Sequence, residues 1–123
     1  MDILDHLNAI RQDVPACEAV VLADLTTRVI LCVSAEGRPP QERLDALCDT
    51  AIRLLESDTS RVLARAGQIP PLEALTLSGG GVEVFLRTPS LPDEALCCLC
   101  RPDVDVEQLM KQAHGRLAEI GAA

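Results

Sequence analysis

The chain has 123 residues, 48% of them hydrophobic, and a formal net charge of −8; this length permits one domain with a real core, and the apolar content excludes wholesale disorder. Eleven basic residues, only one of them lysine, are dispersed among nineteen acids, and Phe85 is the sole aromatic, which excludes a phosphate-tracking stripe and a base-stacking platform and so nucleic acid as a partner. No apolar run approaches the roughly eighteen residues of a membrane span, and the acidic opening MDILDHLNAIRQD is not a signal peptide, so the expected location is cytoplasmic, without membrane insertion.

Residues 2–13 read as a first helix, with Asp2 as its cap and Ile3, Leu7 and Ile10 on one face. Asp13-Val14-Pro15 ends it, because the residue before proline leaves the helical region. Cys17–Ala23 and Arg28–Ser34 read as two strands of a hairpin, joined through Asp24-Leu25-Thr26-Thr27, where Asp24 can bond the downstream backbone. Both runs are apolar at nearly every residue, the pattern of strands covered on both faces.

Pro39–Gly67 predicts a long helix. Its apolar positions Leu44, Leu47, Cys48, Ala51, Ile52, Leu55, Val62, Leu63 and Ala66 recur at gaps of three and four. Two prolines open it and Gly67 closes it. Uninterrupted it would run about 40 Å, with a bend expected at Ser57–Ser60, a cluster that competes for the local backbone. Leu54 and Ile52 widen its stripe beyond a simple seam, so that one side can meet its own sheet and another a second copy.

Glu73–Ser78 reads as a short third strand, less apolar, as at a sheet edge. Gly79-Gly80-Gly81 turns the chain into a fourth strand, Val82–Arg87, with Val82, Val84 and Leu86 on one face and Glu83, Phe85 and Arg87 on the other. Thr88–Asp93 reads as a loop and Glu94–Cys100 as an interior fifth strand. Residues 105–120 predict the last helix, with a capping box at Asp105 and Gln108, a staple between Val104 and Leu109, and Gly121 as its end. The expected architecture is α+β, in the order α-β-β-α-β-β-β-α. It is a five-stranded, mainly antiparallel sheet with the long helix on one face and the two terminal helices on the other.

No enzymatic constellation emerges. Cys97-Cys98-Leu99-Cys100 contains a CxxC, but on a strand Cys97 and Cys100 point to opposite faces. Cys98 and Cys100 share a face at about 7 Å, beyond disulfide reach. All six cysteines, with Cys17, Cys32 and Cys48, are expected to be reduced thiols serving as small hydrophobes. His6 and His114 lie on terminal helices with no second metal knuckle to join. Ser78-Gly79-Gly80-Gly81 lacks the Lys of a phosphate loop and precedes a strand. The acids of the long helix alternate with arginines at contact spacing, as in Asp49 with Arg53. Neither catalytic residues nor cofactor or metal ligands are expected.

The order of elements resembles the Roadblock/dynein light-chain family, related to profilin-like and longin-like folds. The residues that carry the resemblance are Ala19–Asp24, Val29–Val33, the long helix, and Leu77-Ser78-Gly79-Gly80-Gly81-Val82-Glu83-Val84. It spans nearly the whole chain, read as a single domain of residues 1–123. One departure is Leu25-Thr26-Thr27, where many members carry a glycine. The resemblance implies a non-enzymatic homodimer whose third strands pair into one continuous sheet with the long helices side by side. Its expected interface is Ala74, Leu75, Thr76, Leu77 and Ser78, joined by Leu44, Leu47 and Ala51. Bacterial members often regulate or scaffold small Ras-like GTPases, which makes a GTPase or a larger complex the implied partner. The other class left open is a small-molecule sensory module, or a cysteine-based redox or metal module, on a profilin-like fold.

Overall fold

A computed structural model describes residues 1–56, 65–67, 72–78 and 80–122. Helix α1 (Ile3–Asp13) begins at an Asp2 capping box in which Asp5 N–H donates to Asp2 Oδ1 at 2.9 Å and Asp2 N–H to Asp5 Oδ2 at 3.1 Å, satisfying donors the helix cannot pair internally. Strands β1 (Cys17–Asp24) and β2 (Val29–Ala35) form the expected hairpin. Asp24 Oδ1 accepts from Thr26 N–H at 2.8 Å and Thr27 N–H at 3.1 Å. With no glycine in this turn, Arg28 takes the left-handed conformation, φ +60°, a strained choice for a residue with a Cβ.

Helix α2 spans Gln41–Leu55, about 22 Å at 1.5 Å per residue, so the expected Pro39–Gly67 helix is corrected to a shorter one. Glu56, at φ −114° and ψ 36°, is its C-cap. The expected bend at Ser57–Ser60 and the stripe residues Val62 and Leu63 lie outside the described residues, and Ala66 is exposed. Gly67 has a positive φ, +78°. Strands β3 (Glu73–Ser78), β4 (Gly81–Thr88) and β5 (Leu91–Cys100) follow, then helix α3 (Val106–Ala122). Strand β5 starts three residues earlier than expected, taking in Leu91–Asp93. Helix α3 runs through Gly121 instead of ending there. Gln108 N–H donates to Asp105 Oδ1 at 3.1 Å, the first half of the expected box, while the Gln108 side-chain amide donates across to the Asp13 carbonyl at 3.3 Å.

The five strands lie in the order β2-β1-β5-β4-β3, all antiparallel. Helices α1 and α3 bury Leu7, Ile10, Leu109 and Leu117 against Val20, Leu22, Val84 and Leu96 on one face. Helix α2 buries Leu44, Leu47, Ala51 and Leu55 against Val21, Phe85, Ala95 and Cys97 on the other. The layering is the expected one. Strand β2 is a correction: it is an outer strand, with Val29 and Leu31 roughly half exposed and only Ser34 buried. One helix about 10–12 Å wide cannot cover a sheet whose five strands, about 4.8 Å apart, span about 19 Å. An apolar run on an outer strand therefore stays partly bare.

At the β3–β4 turn, Ser78 pairs with Gly81. Gly81 has φ +154°, and a Cβ there would stand 2.3 Å from the Cys100 carbonyl oxygen. Gly81→Ala is expected to cost about 2–4 kcal/mol from combined backbone strain and overpacking, measured as a lower urea midpoint with unchanged slope. An unchanged midpoint would mean that the two strands separate there at no cost.

Candidate functional site

The sheet has two outer strands, and they are managed differently. Strand β2 is held by α1: Ser34 Oγ donates to Asn8 Oδ1 and accepts from Arg11 Nη1 at 3.3 Å. Strand β3 pairs with β4 alone, through Glu73↔Leu86, Leu75↔Val84 and Leu77↔Val82. The Arg87 N–H donates to the Leu72 carbonyl at 2.8 Å, which marks residues 72 and 87 as a hydrogen-bonded pair. Antiparallel pairs alternate, so Ala74, Thr76 and Ser78 turn their backbone groups toward β4. Glu73, Leu75 and Leu77 turn theirs outward, each presenting one N–H and one C=O along the free edge.

The side chains of β3 divide by parity. Leu75 and Leu77 lie on the α3 side and are 42% and 75% exposed; Leu75 borders a shallow recess with Val84, Val106 and Met110. Ala74, like Leu54, packs against the core on the α2 side. On that side Thr76 Oγ1 donates to Glu83 Oε1 at 2.9 Å, and Arg43 Nη2 donates to Glu83 Oε2 at 3.2 Å. An exposed leucine pair on an edge strand is what soluble chains usually avoid by placing charge or proline there.

Of the expected interface residues, Ala74, Leu75, Thr76, Leu77 and Ser78 fall together on this edge. Leu44, Leu47 and Ala51 do not join them, because all three are buried in the core beneath α2. On α2, Arg43 reaches Glu83 of β4 and Leu54 packs on the same side of the sheet as Ala74; Ala46 and Thr50 continue that line along the helix. Asp49, on the far side, reaches the β2 end instead, where Arg28 Nη1 meets its Oδ1 at 2.9 Å, not Arg53 as the spacing suggested. Residues 43, 46, 50 and 54 keep helical spacing, displaced from the buried stripe by about a third of a turn. That displacement was legible only through Leu54, the one large apolar member of the set.

The thiols are all free, with five buried and Cys32 half-buried. Burial pushes the Cys97 thiol far up, with Cys48 adding to it, which makes Cys97 an inert packing group. Among the described residues no cluster of three or more His, Cys, Asp and Glu is placed to hold a metal ion. Among them, too, no helix is long and apolar enough to cross a membrane. His114 Nε2 meets Glu73 Oε1, fastening α3 to β3 at the surface.

No protein-family model and no curated protein matches the chain. Solved structures do. A Roadblock/LC7 domain from Streptomyces avermitilis superposes with a TM-score of 0.77 at 15% identity, over 98% of this chain and 95% of that one. A structure described as MglB with tetrameric arrangement gives 0.78 at 10% identity, over 98% and 85%. The gliding protein MglB from Thermus thermophilus gives 0.75 at 13% identity, over 98% and 88%. The chain has the Roadblock/LC7 fold.

Proposed function

We propose that the protein is a non-enzymatic, cytoplasmic interaction module: a homodimer built through β3 that regulates or scaffolds a small Ras-like GTPase or a larger complex. The observation that supports it is the free β3 edge, with outward backbone groups at Glu73, Leu75 and Leu77 and two exposed leucines. The strongest antiparallel register for two such edges uses all three outward residues. Leu75 then sits opposite Leu75 of the second copy, on the two-fold axis, and Glu73 sits opposite Leu77. In that arrangement main-chain hydrogen bonds supply affinity and the leucines exclude water. The stripe Arg43, Ala46, Thr50 and Leu54 would face its own counterpart, and the small residues Ala46 and Thr50 permit close approach.

The Roadblock/LC7 fold and the MglB neighbours support the class of partner. Two α2 helices side by side would form a broad composite face that a single chain lacks. Titration calorimetry against small Ras-like GTPases of the source cell, loaded with GDP or a non-hydrolysable GTP analogue, tests this reading. A complex that forms preferentially in one nucleotide state is expected. Failure to bind any of them in either state would overturn the GTPase assignment.

A further inference from the structure

Strict alternation along β1 would put Cys17 on the α2 side with Ala19 and Val21. The β1–β5 register shifts between Cys17 and Ala19, a bulge at Glu18, and a bulge reverses parity beyond it. Cys17 therefore shares the α1/α3 side with Cys98 and Cys100, and its Cα partner across the ladder is Cys100. The Arg101 N–H donates to the Ala16 carbonyl at 2.8 Å, and the Cys17 N–H turns away from β5 to the Val14 carbonyl at 2.9 Å. Residues 17 and 100 are thus a non-hydrogen-bonded pair, the kind whose side chains approach most closely, with Cα atoms about 4.5 Å apart. That separation lies within the roughly 4.4–6.8 Å that a disulfide spans.

We propose that Cys17 and Cys100 are an oxidation site, converted to a cross-strand disulfide by a low-molecular-weight disulfide of the glutathione class. The Cys17 thiolate attacks the oxidant, forming a mixed disulfide and releasing one small thiol. The Cys100 thiolate then attacks the Cys17 sulfur and releases the second. Two protein thiols are oxidised and one small disulfide is reduced to two thiols.

Cys17 is the nucleophile of the pair. Hydrogen bonds from Cys100 and then Cys98 hold its thiol below the ordinary range, while those same contacts with Cys17 push Cys100 and Cys98 up. Position favours the pair as well. Cys17 is the first residue of β1 and Cys100 the last of β5, so fraying of the sheet end exposes both, whereas Cys97 and Cys98 lie further inside. Cys98 cannot replace either one, being on the same strand as Cys100 and diagonal to Cys17. Neither thiol lies on β3.

The test incubates the full chain, folded, in a glutathione/glutathione-disulfide buffer, traps remaining thiols by alkylation in denaturant, and maps disulfides by mass spectrometry. The expected product has lost two hydrogens and carries a Cys17–Cys100 link. C32S and C48S should form it as the unaltered chain does, and C17S and C100S should not. Circular dichroism before oxidation confirms that each variant is folded. No link in the unaltered chain, glutathione capping without closure, or a link between any other pair would overturn the proposal.

Discussion

Arg87→Ala is expected to lower stability by about 2–4 kcal/mol, the cost of removing a buried charged donor from the acceptors it satisfies. Arg87 stands on the β4 face beneath α2 and is only 2% exposed. Its Nη1 donates to the Glu56 carboxylate and to the Pro92 carbonyl at 3.2 Å, and its Nη2 donates to the Leu55 carbonyl at 2.6 Å. The Leu55 carbonyl is one of the terminal acceptors that a helix cannot satisfy internally, so the guanidinium serves as a side-chain cap for α2. The same group holds the helix end to the start of β5 through Pro92. Removing it leaves two carbonyls without their donor and a Glu56 carboxylate, about one-third exposed, without its partner. Against the roughly 5–15 kcal/mol available to a domain, this is a large fraction. Arg87→Lys should recover only part of the loss, since a point charge cannot span three acceptors in a fixed plane. Urea unfolding of both variants measures the effect. A loss under about 1 kcal/mol for Arg87→Ala would show that the acceptors find other partners.

The second large effect is on association. Leu75→Arg is expected to weaken the dimer at least about a hundredfold, or about 2.7 kcal/mol, as for loss of a central contact. The position follows from the register. At the two-fold axis an introduced arginine would face its own copy, and like charges directly opposite on paired strands repel. Leu77 is the weaker choice although it is the more exposed, because in this register it lies opposite Glu73 and a cation there would gain a partner. Leu77→Arg should therefore weaken the dimer less than Leu75→Arg. Leu75 does not use its backbone groups toward β4, so the variant should keep its fold, which circular dichroism would confirm. Equal association of Leu75→Arg and the unaltered chain would mean that β3 is not the interface.

How much could be read from the chain depended on whether a feature was local. The Asp2 cap, the Asp24 turn, the pairing of Ser78 with Gly81 and the parity of β4 each depend on a few neighbouring residues, and each is legible in the sequence. The length of α2 is not legible, because apolar spacing continues beyond Leu55 and spacing alone does not reveal where a helix is capped. The exposure of β2 depended on which strands the helices could reach, a question of sheet order. The burial of Arg87 was hidden for a related reason. A charged residue on a strand face ordinarily signals solvent, and only the position of the α2 terminus makes it a buried cap. The bulge at Glu18 carries no glycine or proline to announce it, yet it decides which face Cys17 occupies. At the candidate edge the strand was legible because its polarity and brevity are local. The α2 contribution was not, since Leu44, Leu47 and Ala51 are equally suited to a core and to an interface.

The central claim is that two copies join through β3. Sedimentation velocity of the unaltered chain at micromolar concentration tests it most directly. A species of twice the 13.2 kDa chain mass, lost in Leu75→Arg, is the predicted result. A single species at the chain mass across the whole concentration range would contradict it.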